Sequence, residues 1–273
     1  MISTVVGIIL YLYCWNMAMQ LPDNNPENFL KQKSTDGKVV VCIGDSITHG
    51  RVSCNYVDIL VQRLGGKGYR IVNAGINSEL AYNVTRRLDE IISCKPDYVT
   101  VLIGTNDANA SISKKNGEHA MSGMKLPQIP TTAWYRENLE KICIELKKRT
   151  KAKIAIISLP PISEEPNSVA FTRAKEYSAI IKDVAERQKL VYLPLNEIMT
   201  LYLQQYNSKP LLQYNENWRL AMYKGIAQHI LLGKSYDDIS RSNGFILLTD
   251  LRHLNCVGSG LVSDIIENFI TSP

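Results

Sequence analysis

The stretch Lys38-Val39-Val40-Val41-Cys42-Ile43-Gly44-Asp45-Ser46-Ile47-Thr48 decides how this chain folds. Residues 38–43 are β-branched and almost unbroken in hydrophobicity, and Gly44 ends the run. Such a run reads as a strand covered on both faces. Working outward, comparable runs recur at 69–73, 98–103, 153–158 and 190–193. Between them lie segments with apolar residues at helical spacing: 56–64, stopped by Gly65-Gly66; 80–92; 132–149, capped by Thr131 or Thr132; and 168–188. Strands alternating with helices make βαβ units and a parallel sheet. The expected fold is therefore α/β, a three-layer α/β/α sandwich around a central five-stranded parallel sheet. Residues 218–232 and 258–270 read as further helices, the second covering the C-terminal end.

Toward the N-terminus the character changes. Residues 2–19 are nearly all apolar, and 20–36 turn polar, with Pro22 and Pro26. An apolar stretch of about 18 residues lies between the lengths of a secretory leader and a membrane anchor. Residues 1–30 are accordingly expected to be a signal peptide or anchor with its linker, and 31–273 the folded domain. The protein is then exported or membrane-anchored, with membrane association running through residues 2–19. The alternative is a packed N-terminal helix or strand.

Composition excludes several functions. Hydrophobic residues make up 45% and charged residues 21%, enough to bury a large core. The net charge of +5 is spread thinly. Its densest cluster, Lys147, Lys148, Arg149, Lys151 and Lys153, falls at a helix end, where cations suit the dipole. No aromatic-rich or zinc-type module accompanies it, so nucleic acid is not an expected partner. None of the six cysteines forms a C-x-x-C pair, which leaves a zinc or thioredoxin reading without support. Cys42 lies within the first strand and reads as a buried thiol.

In open parallel sheets ligands bind beyond the carboxyl ends of the strands, and three polar turns stand there. Gly44-Asp45-Ser46 follows the first strand, Gly75 follows the second, and Gly104-Thr105-Asn106-Asp107 follows the third. Ser46 could simply cap a helix, and Asn-Asp is ordinary turn chemistry. A serine nucleophile needs a base. Of four histidines, His49 sits on the turn after Ser46, His119 in a Gly-containing loop and His229 within a helix. His253 differs: Asp250-Leu251-Arg252-His253 places an acid where it can reach the imidazole across one turn and fix its tautomer. Asn106 and Gly75 could donate to a developing oxyanion. Two segments exceed plain connections, 107–131 and 204–249. The second is rich in aromatic and large apolar side chains, among them Tyr206, Leu211, Tyr214 and Trp218. It leads straight into Asp250, either packing onto the sheet or walling the catalytic edge.

Gly44-Asp45-Ser46, Gly75, Gly104-Thr105-Asn106-Asp107 and Asp250-x-x-His253-Leu254-Asn255 together resemble the SGNH (GDSL-type) hydrolase family, with the four blocks in the family's order. The resemblance implies a flavodoxin-like sandwich and ester hydrolysis without metal or cofactor. It implies Ser46 as nucleophile, His253 as general base and Asp250 as its orienting partner. The oxyanion hole it implies is formed by the Ser46 N–H, the Gly75 N–H and the Asn106 side chain. Asp45 and Asp107 would shape their loops. Small acyl esters, of acetylated carbohydrate, lysophospholipid or similar, are the expected substrates. The competing reading is a non-catalytic ligand-binding protein on the same scaffold, which would need none of Ser46, Asn106, Asp250 and His253.

Overall fold

The computed structural model describes residues 2–32, 36–206, 209–215 and 217–272. Five strands, β1 (Lys38–Gly44), β2 (Tyr69–Gly75), β3 (Tyr98–Leu102), β4 (Lys153–Ile157) and β5 (Val191–Leu193), form one sheet in the order β2-β1-β3-β4-β5. All neighbours are parallel. The order reverses at β1, and register sets Gly44 beside both Gly75 and Leu102. The three polar turns therefore emerge side by side at the switch point, where a crevice forms.

Alternation along β1 builds two cores, because successive side chains leave opposite faces. Val39, Val41 and Ile43 pack with Tyr135 and Leu139 of helix Thr132–Arg149 and with Tyr177 of helix Val169–Gln188. Val40 and Cys42 pack with Tyr56 and Leu60 of helix Tyr56–Leu64 and with Val262 and Ile266 of helix Cys256–Thr271. Each fully buried aliphatic side chain here contributes about 1.5–3 kcal/mol. Cys42 is a free, buried thiol, and burial pushes its pKa up to about 12.

Several elements depart from the sequence reading. The helix expected over 80–92 is two, Ala81–Thr85 and Leu88–Ser93. The Arg87 guanidinium donates to Glu79 Oε2 at 2.8 Å and to the Ala74 carbonyl at 2.7 Å, tying the break to the end of β2. Segment 107–131 is largely helical, through Thr105–Ala110 and Lys114–Gly123. The apolar run 245–248 joins no sheet; a single bridge links Leu248 to Leu254. Its N–H groups are satisfied by the buried Glu164 carboxylate, which accepts from Ile246, Leu247 and Leu248 at 2.6–3.0 Å. That anchor fixes the approach to Asp250.

Residues Ile2–Met19 form a helix that lies on the domain. Cys14 and Ala18 are buried, the Tyr11 ring meets Tyr223 edge-on, and Asn77 Nδ2 donates to the Ala18 carbonyl at 2.7 Å. Among the described residues no helix is long and apolar enough to cross a membrane.

One covalent link was not read from the sequence. Cys54 and Cys256 form a disulfide. Cys54 follows the Ser46 turn, and Cys256 begins the helix after His253. The bridge closes a loop of 202 residues, and chain entropy alone sets its ceiling near 5 kcal/mol. Reduction, or paired Cys54→Ser and Cys256→Ser substitution, is expected to lower Tm by about 5–15 °C, since 1 kcal/mol shifts a domain of this size by about 2–4 °C. A melting curve unchanged after thiol titration has shown full reduction would contradict this.

Candidate active site

Ser46 opens the short helix Ser46–His49 directly after β1. The sequence left open whether Ser46 is itself the cap. Asp45 takes that place: its Oδ1 accepts the Ile47 N–H at 3.0 Å, which leaves the serine hydroxyl free. Ser46 Oγ lies 2.9 Å from His253 Nε2. His253 Nδ1 lies 2.8 Å from Asp250 Oδ2. The other carboxylate oxygen, Oδ1, accepts the backbone N–H groups of Arg252 at 2.7 Å and His253 at 2.9 Å. The acid is thus fixed by the turn that presents the histidine. Thr249 closes this turn by donating its N–H to the His253 carbonyl at 2.7 Å.

Electrostatics follow from burial and these bonds. Burial pushes the Asp250 carboxyl upward, but the imidazole, its bonds and the Arg252 charge outweigh it, and the carboxyl stays below the usual range. Asp45 and Asp107 move the other way. Burial raises them to about 6 and about 7, the first against the Ile47 N–H and the second against the Ala81 N–H. Asp107 Oδ2 accepts that Ala81 N–H at 3.1 Å and so clamps helix Thr105–Ala110 to the turn after β2. Asp107 thus ties two segments together, while Asp45 caps the helix that Ser46 opens.

Asn106 sits half-exposed in the first turn of helix Thr105–Ala110. Gly104 before it has φ +132°, and a Cβ there would lie 2.6 Å from the Tyr135 hydroxyl, so only glycine fits. Asn106 Nδ2 donates to the Glu79 carbonyl at 3.0 Å, and Oδ1 accepts from Arg252 Nη1 at 3.2 Å. Gly75 is placed differently from the sequence expectation. Its N–H donates to Asn73 Oδ1 at 3.0 Å, and a Cβ on it would strike the His49 backbone at 2.2 Å. Close packing against the Ser46 helix is its evident role, and its N–H is spent on Asn73.

The remaining histidines stay outside the constellation. The His49 ring is buried, its Nδ1 has no partner among the described residues, and burial and then the Arg51 charge lower its pKa to about 4. His119 is exposed. His229 Nδ1 contacts the Lys234 carbonyl at 2.8 Å, and its ring stacks on Tyr236. Among the described residues no group of three or more His, Cys, Asp or Glu could hold a metal ion.

The sequence reading missed Arg252 and the part played by Trp218. Arg252 is buried with its guanidinium 3.5 Å from the Trp218 ring centroid. Trp218 begins helix Trp218–Leu232, so the 204–249 segment does reach the catalytic edge. An arginine set between an acid and a histidine was the available signal.

A hydroxyl bonded to an imidazole that is itself oriented by a buried carboxylate can pass its proton to the ring as it attacks an electrophile. Comparisons with known proteins bear on the class of reaction. An acetylxylan esterase of Geobacillus stearothermophilus is 27% identical over 194 residues, covering 62% of this chain and 84% of that protein. The crystal structure of the acetyl xylan esterase AlAXEase superposes with a TM-score of 0.61 at 20% identity, covering 85% of this chain and 99% of that one. A lipase/acylhydrolase from Enterococcus faecalis gives 0.56 at 23% identity, covering 85% and 95%. These two structures share the fold, a parallel five-stranded sheet between helical layers. Residues 42–224 match the model of the GDSL-like lipase/acylhydrolase family, and the chain is an ester-bond hydrolase belonging to that family.

Proposed function

We propose that the protein is a serine esterase that cleaves small acyl esters, acetylated carbohydrates first among them, through an acyl-enzyme on Ser46. The observation that carries this reading is the unbroken chain Ser46 Oγ, His253 Nε2, His253 Nδ1, Asp250 Oδ2 at 2.9 and 2.8 Å. Ser46 Oγ attacks the ester carbonyl carbon while its proton moves to His253 Nε2. The carbonyl π electrons move to oxygen, and the oxyanion meets two donors. One is the Ser46 N–H, in a first helical turn where backbone N–H groups lack intrahelical partners. The other is the second N–H of the Asn106 amide. Collapse expels the alcohol, which takes the proton from His253. Water, deprotonated by the same ring, then attacks the acyl carbonyl and releases the acid and Ser46. Asp250 holds the Nδ1–H tautomer throughout.

The acetyl preference has two supports. Relatives by sequence and by fold are named acetylxylan esterases. Arg252 contacts Asn106 and lies on the Trp218 ring, and we take these two side chains as the wall that would close the acyl pocket. Each buried methylene would otherwise add about 0.8 kcal/mol of binding. The test is kcat/KM for p-nitrophenyl esters of two to twelve carbons, with acetate release from acetylated xylan alongside. Activity is expected to be highest on the acetyl and propionyl esters. A steady rise to the longest soluble ester would move the reading to a lipase or lysophospholipase.

Export is part of the same proposal. The apolar residues 2–19 would direct it, and a surface disulfide suits an oxidising compartment. Expression of the full chain in a secreting host should deliver active protein to the medium. Retention of all activity inside the cell, with both cysteines reduced, would count against it.

A further inference from the structure

We infer that Arg252 is a positioning residue that orients the Asn106 amide for the oxyanion, and that Trp218 in turn holds Arg252. The inference deepens the serine-esterase reading and rests on it. The side chain of Arg252 leaves the very turn that fixes Asp250 and His253, since its own backbone N–H donates to Asp250 Oδ1. Only 7% of the residue is exposed. Burying a guanidinium is costly without compensation. Here the flat cation lies on the Trp218 ring at 3.5 Å, Nη1 donates to Asn106 Oδ1 at 3.2 Å, and Nη2 faces the soft acceptor Met222 Sδ at 3.9 Å.

These contacts leave the amide one orientation. A guanidinium only donates, so the oxygen of Asn106 must face Arg252. The Glu79 carbonyl only accepts, so the nitrogen must face Glu79, as it does at 3.0 Å. Turning the amide over would set donor against donor and oxygen against oxygen. With Oδ1 and one N–H fixed, the second N–H is the free donor. The cation on Oδ1 also draws electron density from the amide and strengthens that donor. Trp218 supplies the surface that keeps the guanidinium flat, and its Nε1 is anchored on Asn116 Oδ1 at 3.5 Å. The 204–249 segment thereby reaches the reaction through one arginine.

The test is a double-mutant cycle on the full chain, using p-nitrophenyl acetate and joining Arg252→Met with Asn106→Ala. Asn106→Ala alone is expected to lower kcat by about 10²–10³-fold. Arg252→Met alone is expected to lower kcat about 10-fold or more with KM within about 2-fold, because misplacing a catalytic group is felt in the transition state. On the Asn106→Ala background the Arg252→Met effect should fall below about 2-fold, since the group it positions is gone. Arg252→Lys, which keeps a donor but loses the planar fork, should lie between wild type and Met. If Arg252→Met melts before assay, the cycle is run with Arg252→Lys under the same criterion. An undiminished effect on the Asn106→Ala background, or a change confined to KM, overturns the assignment. Activity retained by Ser46→Ala would instead remove the underlying reading. An additive cycle in an enzyme that Ser46→Ala silences removes only the role of Arg252.

Discussion

Ser46→Ala is expected to lower kcat by about 10⁴–10⁶-fold while leaving the melting temperature within a few degrees. The substitution removes a hydroxyl bonded to His253, and the helix it opens is capped by Asp45. His253→Ala should cost a comparable factor, because an unassisted hydroxyl is a poor nucleophile at neutral pH. The double variant should be little worse than either single one, since the two groups act in one step. Stopped-flow and steady-state assays on p-nitrophenyl acetate measure all three. Losses that multiply would mean that the two residues work independently and that the 2.9 Å contact between them is incidental.

Asp250→Asn carries the second largest expected effect, about 10³–10⁴-fold in kcat. The replacement is nearly isosteric, and an asparagine Oδ1 can still accept the Arg252 and His253 backbone N–H groups. The turn should therefore persist. The change is electronic: the amide nitrogen would donate to His253 Nδ1, forcing the proton onto Nε2. An imidazole protonated there cannot accept from Ser46 Oγ. Loss of activity with an intact melting curve and intact near-UV dichroism is the expected pair of results. Activity within about 10-fold of wild type would show that Asp250 holds the loop and does not set the tautomer.

Much of the fold could be read from local pattern. The apolar run at Val39–Val41, the Gly44 stop and the alternation with helices yielded the strands and their parallel pairing, because sheet burial imposes hydrophobicity at every position; the order of the strands came from the structure. The helix over 80–92 was misread for the opposite reason. Its periodicity continues through Arg86 and Arg87, and only the tertiary bonds of Arg87 to Glu79 and Ala74 break it. Tertiary bonds also set the approach to the site: the Glu164 carboxylate, 82–84 residues away in sequence, satisfies the N–H groups of Ile246, Leu247 and Leu248. At the site, Ser46, Asn106, Asp250 and His253 stood out because their chemistry is written in short turns. Gly75 stood out for the same reason, yet its N–H is spent on Asn73. The Cys54–Cys256 pairing and the Trp218–Arg252–Asn106 contacts join parts of the chain far apart in sequence. The place of Arg252 between Asp250 and His253 singles it out, but no local signal names its partners.

Covalent trapping tests the central claim most directly. A fluorophosphonate should phosphonylate wild-type protein to about one equivalent, with loss of activity in step and the adduct on the peptide that carries Ser46. His253→Ala should react far more slowly, and Ser46→Ala not at all. Labelling of a different residue, or full inactivation without any adduct on Ser46, would contradict the account.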